Sequence, residues 1–437
     1  MEKSLLEGSK NIHFIGMGGI GVSAIARMML AEGKHVSGSD IARSEITDEL
    51  QKLGASFQVG QSADMIPGNT DLVIYTPAVV VYDPKLLDIL KEKKIMALTY
   101  PEALHEISKN KYTIAVSGTH GKTTTTAMIA QVMLDAGLDP TVIVGSFLKD
   151  QKSNFIAGKS KYFIVEACEY RRSFLNIKPK IALITNIDND HLDYYKDMED
   201  IQNAFKEFIT EVPKDGFVVT HTKDKMIAPV LKNISAQIID SEKFIDETLK
   251  LKAPGKHNIQ NASLVLAVAS ILGIDGKNAK KSLENFAGTW RRFEYKGTTK
   301  KGTIVYDDYG HHPTEVKATL SGAREFFGTK KIVVAFQPHL YSRTKLLIND
   351  FAHAFVDADE VLIAPIYAAR EKFDPTVSSK ILAEKINDLF GQASAKAIDF
   401  QSFEEIEGYL RKNLEKDDVL ITMGAGDIYK IGEDILK

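Results

Sequence analysis

The sequence predicts an α/β protein of three domains, and three observations carry that expectation. Short apolar runs alternate with amphipathic stretches almost throughout, which is the rhythm of parallel sheets covered by helices. The chain has 437 residues, against roughly 150 for an ordinary domain. The strand-helix rhythm also restarts near Lys109 and again after Glu294, which sets domains at 1–108, 109–294 and 295–437.

Composition narrows the function classes. Hydrophobic residues make up 44% and charged residues 26%, a globular balance that can fill several cores. A net charge of -3 argues against nucleic-acid binding by bulk charge, while small anionic substrates need only local positive sites. Cys168 is the only cysteine, so no intrachain disulfide can form. The opening MEKSLLEGSK lacks the apolar core of a signal peptide. The longest apolar stretch, Leu264 to Ile274, is about half the roughly 20 residues a membrane span needs. A soluble cytoplasmic protein, with no nucleic acid and no membrane insertion, is expected.

In the first domain NIHFIGMG, HVSGSD and DLVIYTPA read as strands, and GVSAIARMMLAEG reads as a helix ending at Gly33. Gly16, Gly18 and Gly21, with Gly19 among them, have dinucleotide-fingerprint spacing between a strand and a helix. Asp40 follows Ser39 at the end of the next strand, where a ribose-binding acid of a nicotinamide enzyme would sit. The geometry cradles any pyrophosphate, so the domain is Rossmann-like without fixing which diphosphate it holds.

The second domain opens on the strongest signal, VSGTHGKTTTT. A strand ends, Gly118 and Gly121 let backbone N–H groups turn around an anion, and Lys122, Thr123 and Thr124 open a helix whose positive end faces it. Lys122 would reach outer phosphates, and the Thr123 hydroxyl can ligate magnesium. Only Thr119 and His120 stand between the glycines, so the strict nucleotide-loop spacing fails while the P-loop logic holds. Strands YFIVEA, IALITNI and GFVVT follow, then KHNIQNASLVLAVASILG as a helix, and SLENFAGTWRRF closes the region. Strand ends carry Glu166 and Glu169 on one run, and Asp188, Asp190, His191 and Asp193 on another. In a parallel sheet such ends gather on the edge that holds the phosphate loop. Magnesium prefers oxygen, which makes Glu166 the natural ligand and His191 a less usual one.

In the third domain TIVYDD, KIVVAFQP, EVLIAP and DVLITM read as strands. Asp308, Tyr309, His311 and His312 lie between a strand and a helix opened by Pro313, where the positive helix end favours neutral His312. His339, Ser342 and Arg343 repeat the arrangement, and an arginine there can grip a carboxylate or phosphate in two places. Thr422 to Asp427 forms a third Gly-bearing turn. Three such turns mark one ligand-facing edge.

Together these strings resemble the Mur ligase family over essentially the whole chain. HFIGMGGIGVSAIA with SGSD resembles its UDP-binding domain and SGTHGKTTTT its ATP loop. EACEY, TNIDNDHLD, GKHNIQNA and WRRF resemble its central motifs. DDYGHHPTE, FQPHLYSRT and MGAGD resemble the C-terminal domain of the branch that adds L-alanine. The resemblance implies an ATP-dependent ligase that joins UDP-N-acetylmuramic acid to L-alanine through an acyl phosphate, in peptidoglycan synthesis. It implies ATP with magnesium, which manganese can replace.

By the same resemblance Gly118, Thr119, His120, Gly121, Lys122, Thr123 and Thr124 bind ATP phosphates. Thr123 and Glu166 hold one magnesium, and His191 helps hold a second. His257, Asn258 and Asn261 lie near adenine, and Arg292 approaches the phosphates. Gly16, Gly18, Gly19, Gly21, Ser39 and Asp40 face the UDP-sugar, while Tyr309, His311 and Arg343 lie near the muramoyl and alanine end. The residues leave the proton acceptor for the amine open, with His311 the candidate. EACEYRR replaces the family's more frequent Glu-Ala-Asp-Glu-Ser-Asp string, differing at Cys168, Tyr170 and Arg171 around Glu169, and Leu340 stands where many members have arginine. A murein peptide ligase taking a recycled tripeptide is the near alternative. A NAD-dependent oxidoreductase and a non-catalytic nucleotide-binding protein are the distant ones.

Overall fold

The computed structural model describes residues 4–79, 83–149, 151, 153–191, 194–369, 371–390 and 396–437, so Asp193 lies outside the described residues. The chain forms two compact units, Met1–Lys250 with Gln260–Ala287, and Leu251–Ile259 with Gly288–Lys437.

The first unit holds two sheets. One has five strands in the order β3-β2-β1-β4-β5, with β1 Asn11–Ile15, β2 His35–Asp40, β3 Ser56–Val59, β4 Leu72–Tyr75 and β5 Met96–Thr99. All its pairings are parallel. The other has seven strands in the order β12-β11-β10-β6-β9-β7-β8. Here β6 is Tyr112–Ser117, β7 Thr141–Leu148, β8 Ser153–Ile156, β9 Tyr162–Glu166, β10 Ile181–Ile184, β11 Phe217–Thr220 and β12 Gln237–Asp240. Only the β7–β8 hairpin is antiparallel. Ile114, Val116, Ile164, Val165, Leu183 and Ile184 are buried on the central strands. A strand covered on both faces reads as a continuous apolar run for that reason. Each such side chain contributes about 1.5–3 kcal/mol on burial.

One apolar core runs through both sheets of this unit, from Phe14, Ile25 and Leu104 to Phe163, Phe174 and Phe205. The helix Ile20–Ala31 packs on β7 and β8, and the helix Tyr100–Ser108 packs on the 3-10 turn Tyr170–Asn176. Asn154 on β8 donates to the Ile20 carbonyl at 2.5 Å and to Ser23 Oγ at 2.9 Å. His105 Nδ1 lies 2.9 Å from the Asn176 carbonyl.

The second unit holds a six-stranded sheet, β13-β14-β18-β15-β16-β17. Its strands are β13 Glu294–Thr298, β14 Ile304–Asp308, β15 Ile332–Phe336, β16 Glu360–Ile363, β17 Lys396–Asp399 and β18 Val419–Met423. Only β13 runs antiparallel to its neighbour. The helix Pro313–Phe327 starts at His312, whose Nδ1 accepts from the Thr314 N–H at 3.3 Å. No helix among the described residues is long and apolar enough to cross a membrane.

Candidate active site

The first glycine loop follows β1. Gly16 has φ +77, and a Cβ there would stand 2.4 Å from Thr76 Cγ2. Its N–H and that of Met17 donate to the Ser39 carbonyl, which ties the turn to β2. Gly19 caps the helix Ile20–Ala31. At Gly21 a Cβ would stand 2.7 Å from the Tyr100 ring, so only hydrogen fits between helix and aromatic. Both Asp40 oxygens accept from backbone, Oδ2 from Gly18 N–H and Oδ1 from Ile41 N–H, each at 2.7 Å. Asp40 therefore braces the loop itself.

The phosphate loop follows β6. Gly118 has φ +131, and a Cβ there would stand 1.9 Å from Thr185 Oγ1. Gly121 has φ +81, with Asn261 Oδ1 2.7 Å from the same imagined atom. The residues after β10 hold the loop from outside. Asn186 accepts from His120 N–H at 2.9 Å and donates to its carbonyl at 3.1 Å. Thr185 Oγ1 donates to the His120 carbonyl at 2.6 Å. Thr119 Oγ1 accepts from Asp188 N–H at 2.9 Å, and His120 Nε2 lies 3.1 Å from Asp188 Oδ2.

Lys122 opens the helix Lys122–Asp135 and folds back over the loop. Its ammonium donates to the Gly118 carbonyl at 2.6 Å, the Thr119 carbonyl at 3.0 Å and Glu169 Oε1 at 3.0 Å. Burial works against its charge, but Glu169, Cys168 and Glu166 together outweigh burial, so its pKa rises. Thr123 Oγ1 donates to Glu166 Oε1 at 3.1 Å, while Gly145 N–H donates to Glu166 Oε2 at 2.8 Å. Thr124 stands half-buried in the same first turn. A hydroxyl and a carboxylate at a phosphate-loop helix start form an oxygen donor set that suits magnesium. His191, at φ +56, brings Nε2 within 3.7 Å of Glu169 Oε1 and 3.8 Å of Asp190 Oδ2.

In the second unit the strand ends gather Asp308, Tyr309, His311, His339 and Arg343. Glu315 Oε2 accepts from His311 N–H at 3.0 Å, and His311 Nδ1 lies 3.2 Å from the Tyr309 carbonyl. The His311 and His339 rings are 5.5 Å apart, and Arg343 Nη1 lies 3.0 Å from His339 Nδ1. Ser342 N–H donates to Glu371 Oε2 at 3.0 Å. Arg292 stands 3.7 Å from Glu315 Oε1, over the Tyr309 ring. Burial lifts Asp308 to about 6 against the pull of Arg292, and burial lowers His257 to about 4. Asn258 turns its amide onto the Pro254 carbonyl at 2.9 Å. His257 and Asn258 thus belong to the second unit, and Asn261 to the first. Leu340 has φ +68 and donates its N–H to the Tyr367 carbonyl.

Three contributions have partners that sequence spacing did not identify. Glu169, at 1% exposure, is the counter-ion of Lys122. Thr185 and Asn186 brace the phosphate loop from a strand end far along the chain. Arg291, beside Arg292, is buried against Asp307 at 2.7 Å and donates to the carbonyls of Gly424 and Gly426. The paired Arg-Arg and Asp-Asp strings hint that one member of each turns inward, but not which one.

Three family models match successive stretches of the chain. Residues 11–112 match the model of the Mur ligase family catalytic domain, 116–244 the Mur ligase middle domain, and 291–426 the Mur ligase glutamate ligase domain. A UDP-N-acetylmuramate–L-alanine ligase of Clostridium acetobutylicum is 42% identical, covering 98% of this chain and 98% of its own. One from Clostridium tetani is 41% identical over 100% of both chains. The crystal structure of a UDP-N-acetylmuramate-alanine ligase from Thermotoga maritima superposes with a TM-score of 0.79 at 29% identity, covering 97% of this chain and 98% of that one. A murein peptide ligase from Psychrobacter arcticus has the same fold, with a TM-score of 0.70 at 23% identity and 98% of each chain covered. The chain belongs to the Mur ligase family.

Proposed function

We infer that this chain is the ATP-dependent ligase that joins the lactyl carboxylate of UDP-N-acetylmuramic acid to the amine of L-alanine, in peptidoglycan synthesis. The observation that carries this is the phosphate loop, with Lys122, Thr123 and Glu166 gathered at one helix start, in a chain that matches L-alanine-adding relatives from end to end.

A carboxylate is a poor acyl donor at neutral pH. Transfer of the γ-phosphoryl group of ATP to it gives an acyl phosphate, which the amine attacks as phosphate leaves. Residues 1–108 bind the UDP-sugar through Gly16, Gly18, Gly19 and Gly21, whose turn Ser39 and Asp40 hold in place. Residues 109–294 bind ATP. Backbone N–H groups from Gly118 to Gly121 surround phosphate oxygens, and Lys122 offsets the charge that builds on them. Thr123 and Glu166 would hold one magnesium and His191 would help hold a second, supplying further charge neutralisation at the phosphates when bound. Residues 295–437 bind the amino acid, where Arg343 grips its carboxylate and Tyr309 and His311 face the reacting end. The family resemblance assigns Arg292 to the phosphates and His257, Asn258 and Asn261 to adenine. Both nucleotide substrates are cytoplasmic molecules, so the protein works there.

Phosphate release from ATP, with UDP-N-acetylmuramic acid and a panel of amino acids and peptides, tests the reading. L-alanine should be the preferred acceptor. Preference for a tripeptide would assign a murein peptide ligase instead, and binding of NADH would revive the oxidoreductase.

A further inference from the structure

Lys122 has three N–H donors, and acceptors of this protein take all of them. Two go to the Gly118 and Thr119 carbonyls and the third to Glu169. The side chains are 14% and 2% exposed, so water screens the ion pair little. The pairing is one-sided. Glu169 Oε1 accepts a well-aligned hydrogen bond, whereas Oε2, 2.9 Å from the same ammonium, is buried outside hydrogen-bond geometry. Tyr195 Oη donates to the Glu169 carbonyl at 2.5 Å and fixes its backbone. His191 Nε2, 3.7 Å from Oε1, is the other nitrogen facing this carboxylate. A phosphate oxygen can take a Lys122 donor only if one of the three present acceptors yields. The two carbonyls belong to the loop that would wrap the phosphate, which leaves Glu169.

We propose that Glu169 is a positioning residue that holds Lys122 over the phosphate loop and is the partner Lys122 gives up when a phosphate enters. The proposal rests on the reading of this loop as the triphosphate site. Glu169 then acts in two opposed ways. It presets the lysine for the transferring phosphoryl group, and its negative charge beside the loop opposes phosphate binding. A carboxylate whose role was to hold magnesium would favour nucleotide binding only with metal present. A partner exchanged by the lysine acts equally without metal.

Glu169→Gln is therefore measured with ATP and ADP in EDTA by calorimetry, and with magnesium for turnover. Removing one negative charge within a few ångströms of the phosphates should tighten metal-free nucleotide binding by about tenfold or more. The loss of a fixed lysine should lower kcat by about tenfold or more, so KM and kcat fall together. Glu169→Asp keeps the charge but draws it back. It should bind metal-free nucleotide within about threefold of the parent while kcat still falls. Unchanged or weaker binding by Glu169→Gln overturns the proposal. So does failure of both variants to fold by thermal melting, because the pair would then be scaffolding. If the parent binds metal-free ATP but releases no phosphate with UDP-N-acetylmuramic acid and L-alanine, the ligase reading fails while the binding comparison still decides the role of Glu169.

Discussion

The first unit contains two loops of one design, each a parallel strand, a glycine turn and a helix start, and their differences show how one backbone plan serves two purposes. The loop after β1 has no cation of its own. Asp40 occupies the Gly18 N–H, and Gly21 lets the helix close on Tyr100. It is a cradle of backbone dipoles fixed by an acid. The loop after β6 carries Lys122 at its first helical residue and a carboxylate, Glu169, that holds the lysine in place. The first design suits a diphosphate that is held and does not react. The second suits a phosphoryl group whose charge changes during reaction, where a movable cation matters more than a fixed cradle.

The comparison breaks most sharply at Lys122. Lys122→Ala should lower kcat by about a thousandfold or more, from loss of one charged donor at the phosphates. UDP-sugar binding, measured by calorimetry, should stay within about twofold. Equal loss of both would undo the division of labour between the loops. Next in size is Gly118→Ala, where positive φ and a contact of 1.9 Å to Thr185 Oγ1 combine. A loss of about 2–4 kcal/mol in unfolding free energy is expected, read by denaturant titration, with ATP binding lost first.

Acid should separate the two strands that feed the loops. His13 on β1 is buried beside Ser37 and burial lowers it to about 4 from 6.5, whereas β6 places Thr113 and Ser117 in the equivalent interior. A lowered folded pKa contributes stability present above pH 6.5 that is lost as pH falls through about 4. The loss is at most about 3 kcal/mol. Melts between pH 7 and 4 should show it in the parent and much less of it in His13→Leu. The smallest effect is Gly21→Ala, which sets a methyl against Tyr100. UDP-sugar affinity should fall about tenfold while metal-free ATP binding is kept. A parallel fall in ATP binding would mean that the two loops are not separable.

Much of this arrangement was legible in the sequence because it is local. β1, β6 and β14 are apolar runs ending in glycine or acid strings, and their turns carry the candidate residues. The helix opened by Pro313 and capped by His312 follows from local rules too. What was not legible depends on distant pairing. The strands β3, β8, β12, β13 and β17 are short edge strands with little apolar signal, and β13, Glu294–Thr298, straddles the expected seam after Glu294. The ion pair of Lys122 with Glu169 spans 47 residues of sequence. The choice between Arg291 and Arg292 as the inward arginine is settled by the buried Asp307.

The bond from Asn154 to the first turn of the helix Ile20–Ala31, and the core shared by the two sheets of the first unit, bear on how that unit would respond to a protease. Residues 109–111 join those sheets by the chain, and the shared core joins them by packing. A molecule nicked by trypsin at Lys109 or Lys111 should elute as one particle under native conditions and fall into two fragments only in denaturant. Either half expressed alone would present Leu104, Ile107 or Phe174 to water, so a cloned N-terminal lobe should precipitate unless its neighbour is supplied with it.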